Sequence, residues 1–91
     1  MSYSFTIHAK SKGEAKAGVS AKLAEVCQSQ PAHQRDRAAA QAAANAFIDV
    51  LVEPMDKEMV NVHMTGALGW REKDQYTSGS VSVNVGITAV A

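Results

Sequence analysis

Apolar and polar positions alternate from the start of the chain, with Tyr3, Phe5, Ile7 and Ala9 set against Ser4, Thr6, His8 and Lys10. A period of two predicts a half-buried strand. Ser11 then stands three residues before Glu14, the spacing of a capping box, in which each residue satisfies an amide at the helix start. A first helix is predicted from about Lys12 to Gln28, with an apolar stripe of Ala15, Val19, Leu23, Val26 and Cys27. Gly18 within it costs about 1 kcal/mol relative to alanine and predicts close approach of another element.

Pro31 ends that helix, and a second is predicted from Pro31 or Ala32 to Val52, stopped by Pro54. Its centre is dominated by alanine, the residue that loses no side-chain freedom in a helix. The positions expected to be buried are Ala39, Ala43, Ala46, Phe47, Val50 and Leu51. Arg37, Gln41, Asn45 and Asp49 recur every four residues and read as a solvated stripe.

After a loop over Glu53 to Glu58 the period returns to two. Val60, Val62, Met64, Leu68 and Trp70 share one face of a second strand. Val81, Val83, Val85, Ile87 and Ala89 alternate with Ser80, Ser82, Asn84 and Thr88 in a third. A two-residue turn at Lys73-Asp74 sets Glu72 against Gln75, Met64 against Val83 and Val62 against Val85, which places every apolar position on one side. A longer loop with pairing resuming near Tyr76 is the alternative. The resulting fold class is α+β, a single domain over 1–91 in the order β-α-α-β-β. Its three-stranded, mainly antiparallel sheet carries two helices packed on one face, and the strand order 1-2-3 is expected because antiparallel neighbours are commoner.

Composition changes this picture in two ways. Apolar residues make up 46% of the 91 positions but aromatics only 5%, so alanine and valine must fill the core. Small side chains remove little surface each, at about 25 cal/mol per Å², so a partner subunit would add useful burial. Nine basic residues balance nine acidic ones. The phosphate-neutralising cluster that nucleic-acid binding requires is missing, and no repulsion opposes self-association. The lone Cys27 precludes an intrachain disulfide and fits a reducing compartment. No stretch has the length of a membrane span or the shape of a secretory signal. The expectation is a cytoplasmic protein with neither nucleic acid nor membrane as partner.

Candidate chemistry is sparse. His8, His33 and His63 lack the local spacing of zinc ligands. Cys27 falls on an apolar stripe, as a structural thiol does. Glu53, Asp56, Glu58 and Asp74 read as loop charges rather than an acid–base pair. The glycines of Gly66-Ala67-Leu68-Gly69 lie in a strand pattern, where glycine marks a bulge, a bend or a close approach, and not at a helix start where a phosphate would be held. No catalytic residue, cofactor or metal is therefore assigned.

What stands out instead is surface. The sheet face away from the helices is small and uncharged, pairing Asn61 with Gly86, His63 with Asn84 and Thr65 with Ser82. It reads either as a solvated face or as a docking surface. Residues 80–91 carry no charge and no proline, so the last strand lacks the usual guards of an open edge. The candidate interface is Ser80, Val81, Ser82, Val83, Asn84, Val85 and Ile87 on this strand, with His63 and Thr65 beside it. Trp70, Arg71 and Tyr76 form a possible hot spot at the hairpin tip. A homodimer or higher oligomer through the terminal strand or the outer face is the expected assembly.

The strand, the alanine-rich helix pair and a hairpin running from Leu68-Gly69-Trp70 into Ser-Val-Ser-Val-Asn-Val resemble small uncharacterised accessory proteins of tailed bacteriophages. That resemblance implies a viral protein acting in the host cytoplasm or packed in the particle, and it carries over no functional residue. The expected function is a non-enzymatic binding protein that modulates a host protein. A structural or assembly component of the particle, or a nucleotide or metabolite binder at a dimer seam, are the alternatives.

Overall fold

A computed structural model describes residues 2–26, 31–67, 70–72, 75–77 and 79–90, the side chains of 31–35, 70–72 and 75–77 excepted. Strand β1 (Ser2–Ala9) leads into helices α1 (Lys12–Val26) and α2 (Pro31–Asp49). Strands β2 (Glu58–Ala67) and β5 (Ser80–Ala89) are the arms of a hairpin whose outer part is the short pair β3 (Trp70–Glu72) and β4 (Gln75–Thr77). The main sheet has the order β1-β2-β5 and is antiparallel throughout. The α+β class, the element order and the central position of the second strand are those the patterning predicts.

The hairpin register is also the predicted one. Val62 lies opposite Val85, Met64 opposite Val83, and Glu72 opposite Gln75. The turn residues Lys73 and Asp74 lie outside the described residues. Inward alternation explains the agreement, because a slip of one residue would move Val60, Val62 and Met64, all fully buried, to the solvent face.

The helices cover one face of the sheet, α1 over β1 and β2, α2 over β5 and against α1. Ser11 caps α1 as predicted, its Oγ accepting from Glu14 N at 3.1 Å. Glu14 Oε2 accepts in return from Lys10 N at 3.0 Å, one residue before the serine. Ala15, Val19 and Leu23 are fully buried, Val26 is half-buried, and Cys27 lies outside the described residues. Gly18 does mark a close approach. A Cβ there would meet Ile7 Cγ2 at 3.0 Å, so α1 settles onto β1 where it has no side chain.

Helix α2 departs from expectation by one position around its axis. Its buried residues are Ala40, Ala44 and Ile48, whereas Ala39 and Ala46 are exposed, Ala43 and Leu51 are half-buried, and Phe47 and Val50 are 49% and 79% exposed. An alanine-rich helix offers several nearly equivalent apolar faces, so polar partners decide between them. Gln41 Nε2 donates to Lys16 O at 3.4 Å and to Asn45 Oδ1 at 2.9 Å. Lys16 pairs with Asp49, and the hydrogen bond from Lys16 holds the Asp49 carboxyl below its ordinary pKa, the charges of Lys16 and Lys12 adding to it. The stripe expected to be solvated thus borders α1. The helix also ends at Asp49 rather than Val52, because Lys12 Nζ takes up the last carbonyls, donating to Asp49 O at 3.0 Å and Leu51 O at 2.8 Å.

Candidate functional site

Turning α2 to satisfy α1 leaves its other flank apolar. Ala39, Phe47 and Val50 are exposed, with Ala43 half-buried between them. On a helix these positions fall on the side away from Gln41, Asn45 and Asp49, hence toward β5 rather than α1. Asp36 marks the same side, since its Oδ1 accepts from Gly79 N at 3.1 Å, just ahead of β5. Beneath this flank the inward face of β5 is only partly covered. Val83, Val85 and Ile87 are half-buried and Val81 is 37% exposed.

The backbone of β5 has one paired side. Among the described residues it hydrogen-bonds to β2 alone. Val90 N donates to Lys57 O at 2.7 Å, continuing the same register by one pair beyond Glu58 and Ala89. Hydrogen-bonded pairs recur every second residue in an antiparallel ladder. The even-numbered residues of β5 therefore turn amide and carbonyl toward β2. Val81, Val83, Val85, Ile87 and Ala89 turn theirs to the open side. Gly79, also odd-numbered, fits the alternation by donating to Asp36 instead of β2.

The opposite edge of the sheet is built differently. The flank of α1 beside β1 carries Glu14, Lys22 and Glu25, the last two 3.6 Å apart as an ion pair. Charge beside an open edge is a usual guard against pairing with another chain. Beyond Asp36, which is tied to Gly79, the flank beside β5 carries phenylalanine, valine and alanine. Neither edge strand itself carries a charge or a proline, so the two edges differ in their helix flanks.

The outer sheet face is polar and largely self-satisfied. His8 Nδ1 donates to Asn61 Oδ1, and Asn61 Nδ2 donates to Thr88 Oγ1 at 2.6 Å, which joins all three strands. Thr6 Oγ1 and His63 Nδ1 share a hydrogen bond of 2.8 Å. The two histidines share this face, but no group of three His, Cys, Asp or Glu side chains gathers anywhere among the described residues. Gly86 leaves a notch here, for a Cβ on it would meet nothing within 4 Å. Gly66 is the reverse case and sits under Tyr3, where a Cβ would fall 2.6 Å from Tyr3 Oη and closer still to Ser80 O. Of the bulge, bend or close approach that its sequence context allows, it is a close approach.

Of the candidate interface residues, Val81, Val83, Val85 and Ile87 line the inward side of the open edge. Ser80, Ser82 and Asn84 look outward, as do His63 and Thr65 on β2. Trp70, Arg71 and Tyr76 are placed by strand position only, Arg71 opposite Tyr76. Leu68 and Gly69 lie outside the described residues, as does the side chain of His33. Pattern reading missed Phe47 and Val50 as surface residues. The signal that could have found them is the polar series Gln41, Asn45 and Asp49, which Lys16 on the preceding helix can pair.

A concavity at the end of the sheet opposite β3 and β4 is lined by Lys10, Met55, Asp56, Lys57, Met59 and Val90 among others. Lys57 holds its turn with a φ of 66°. Lysine and acidic residues are interspersed there, so no single sign of charge selects a ligand. Among the described residues no helix is long and apolar enough to cross a membrane. No family model matches the chain, and no curated protein or solved structure matches it either.

Proposed function

We propose that this protein works by binding rather than by catalysis, as a homodimer joined through β5. The observation that carries this reading is the contrast between the two sheet edges. Five amides and five carbonyls of β5 face outward without charge or proline to block them, and exposed Phe47, Val50 and Val81 lie alongside. An edge of this kind pairs with other chains unless it is covered, and a second copy is always present at matching concentration. Zero formal net charge leaves nothing to hold copies apart.

The dimer is expected to act as a small accessory factor that binds a protein in the bacterial cytoplasm. This follows the resemblance of its helix pair and Ser-Val-Ser-Val-Asn-Val strand to tailed-bacteriophage proteins. Pairing through β5 leaves the outer sheet face and the β3–β4 tip free for that partner. Light scattering at micromolar concentration tests the assembly. The expected mass is twice the chain mass of 9.6 kDa, and a monomer would overturn the reading.

A further inference from the structure

We infer that the second copy docks on β5 in one register, antiparallel and centred on Val85, so that two three-stranded sheets become one sheet of six strands. The inference rests on the homodimer reading above and adds the geometry that reading leaves open.

The argument begins with which backbone groups point outward. A two-fold axis through a β5–β5 pair can pass between two copies of any one residue. Passing it at Val85 sets Val85 against itself, Val83 against Ile87, and Val81 against Ala89. All five outward-facing residues of each strand then sit in hydrogen-bonded pairs, and no outward amide or carbonyl is left over. Moving the axis by one residue in either direction leaves an end residue of the set without a partner. Self-complementarity is what a two-fold interface demands, and this strand has it about one centre.

Side chains agree with that centre on both faces. Inward, valine meets valine, isoleucine meets valine, and alanine meets valine, all β-formers or small. Outward, Ser82 falls opposite Thr88, and Asn84 opposite Gly86 of the second copy. The latter is a non-hydrogen-bonded pair, where Cα atoms approach to about 4.5 Å and side chains are closest. Gly86 is where the outer face has open space around an absent Cβ, so the amide of Asn84 has room to lie across it.

The helix flank lands at the right height. Asp36 is tied to Gly79, and α2 and β5 run in the same direction from there. Phe47 lies about 16 Å along the helix from Asp36 at ~1.5 Å per residue. Gly79 to Asn84 covers about the same distance at ~3.3 Å per strand residue. Phe47 therefore stands beside the proposed axis, where its half-exposed ring meets its own copy. Only the last turn of α2 overlaps its copy about that axis, and Ala46 beside Phe47 keeps that crossing uncrowded.

Cross-linking of single cysteines in a Cys27→Ser background tests the register. In a hydrogen-bonded pair the Cα atoms are about 5.5 Å apart and the Cβ atoms about as far, a little beyond a direct disulfide but within reach of the shortest thiol-to-thiol cross-linkers. With such a reagent V85C is expected to form a covalent dimer. V83C and I87C alone should not, since each is displaced from its own copy by about 13 Å, four strand residues at ~3.3 Å. A mixture of V83C and I87C chains should cross-link, and this pair serves as an independent check should V85C perturb the strand. Light scattering on the same samples separates the two ideas. A dimer in which V85C fails to cross-link, or V83C alone succeeds, overturns the register and leaves the homodimer standing. A monomer overturns both.

Discussion

A Val85→Pro chain is expected to stay folded and to lose the dimer. Proline has no amide hydrogen and is tolerated in a sheet only where that hydrogen would face away from a neighbouring strand. The alternation fixed by the Val90–Lys57 hydrogen bond puts Val85 in that position. Within one chain the substitution leaves the β2–β5 ladder intact. Between chains it removes the two reciprocal hydrogen bonds at the axis and sets two rings against each other. At about 1 kcal/mol net per bond, the bonds alone weaken association roughly 30-fold, and the rings add to that. Asn84→Pro is the counterpart, removing a bond to β2 and destabilising the hairpin itself. Circular dichroism and light scattering together read both outcomes. A V85P protein that dimerises as tightly as the parent would contradict the proposal.

Ile48→Ala is expected to be among the most destabilising single substitutions, costing about 2–5 kcal/mol in urea unfolding. Ile48 is fully buried and belongs to the same core cluster as Leu23 of α1 and Met64 of β2. Small domains have only about 5–15 kcal/mol in total, so the loss would be a large fraction of the whole. Its neighbour supplies the contrast. Phe47 is 49% exposed, so Phe47→Ala should barely move the unfolding midpoint of the dissociated chain while weakening the dimer. The two results reversed would mean that α2 packs in the orientation its hydrophobic pattern first suggests.

That orientation shows where sequence reading succeeded and where it did not. Strands were legible because a period of two leaves only two choices of face, and valine against serine decides between them at once. The hairpin register followed from the same constraint, even without an asparagine–glycine turn. The first helix was legible because Ala15, Val19 and Leu23 recur every four residues while Glu14, Lys16, Lys22 and Glu25 fall off that stripe. In α2, alanine surrounds the axis and the hydrophobic signal is nearly flat, so Ile48 and Phe47 compete on similar terms. What settles it is a set of polar contacts across sequence distance, from Lys12 and Lys16 to Gln41, Asp49 and Leu51. Hydrophobic periodicity carries no record of them, and the polar series Gln41, Asn45 and Asp49 is their one trace in the sequence. The candidate site divides in the same way. The uncharged terminal strand could be read directly, but its apolar flank on α2 became visible only once the helix was set in place.

Residue-resolved amide hydrogen exchange along β5 tests the central claim most directly, because it asks whether the open edge is covered. At micromolar concentration the amides of Val81, Val83, Val85, Ile87 and Ala89 should exchange slowly, and their protection should fall on dilution. Those of Ser82, Asn84, Gly86 and Thr88 should stay protected at all concentrations through β2. Fast, concentration-independent exchange of the odd-numbered set beside a protected even-numbered set would mean that the edge stands open, and would contradict the account.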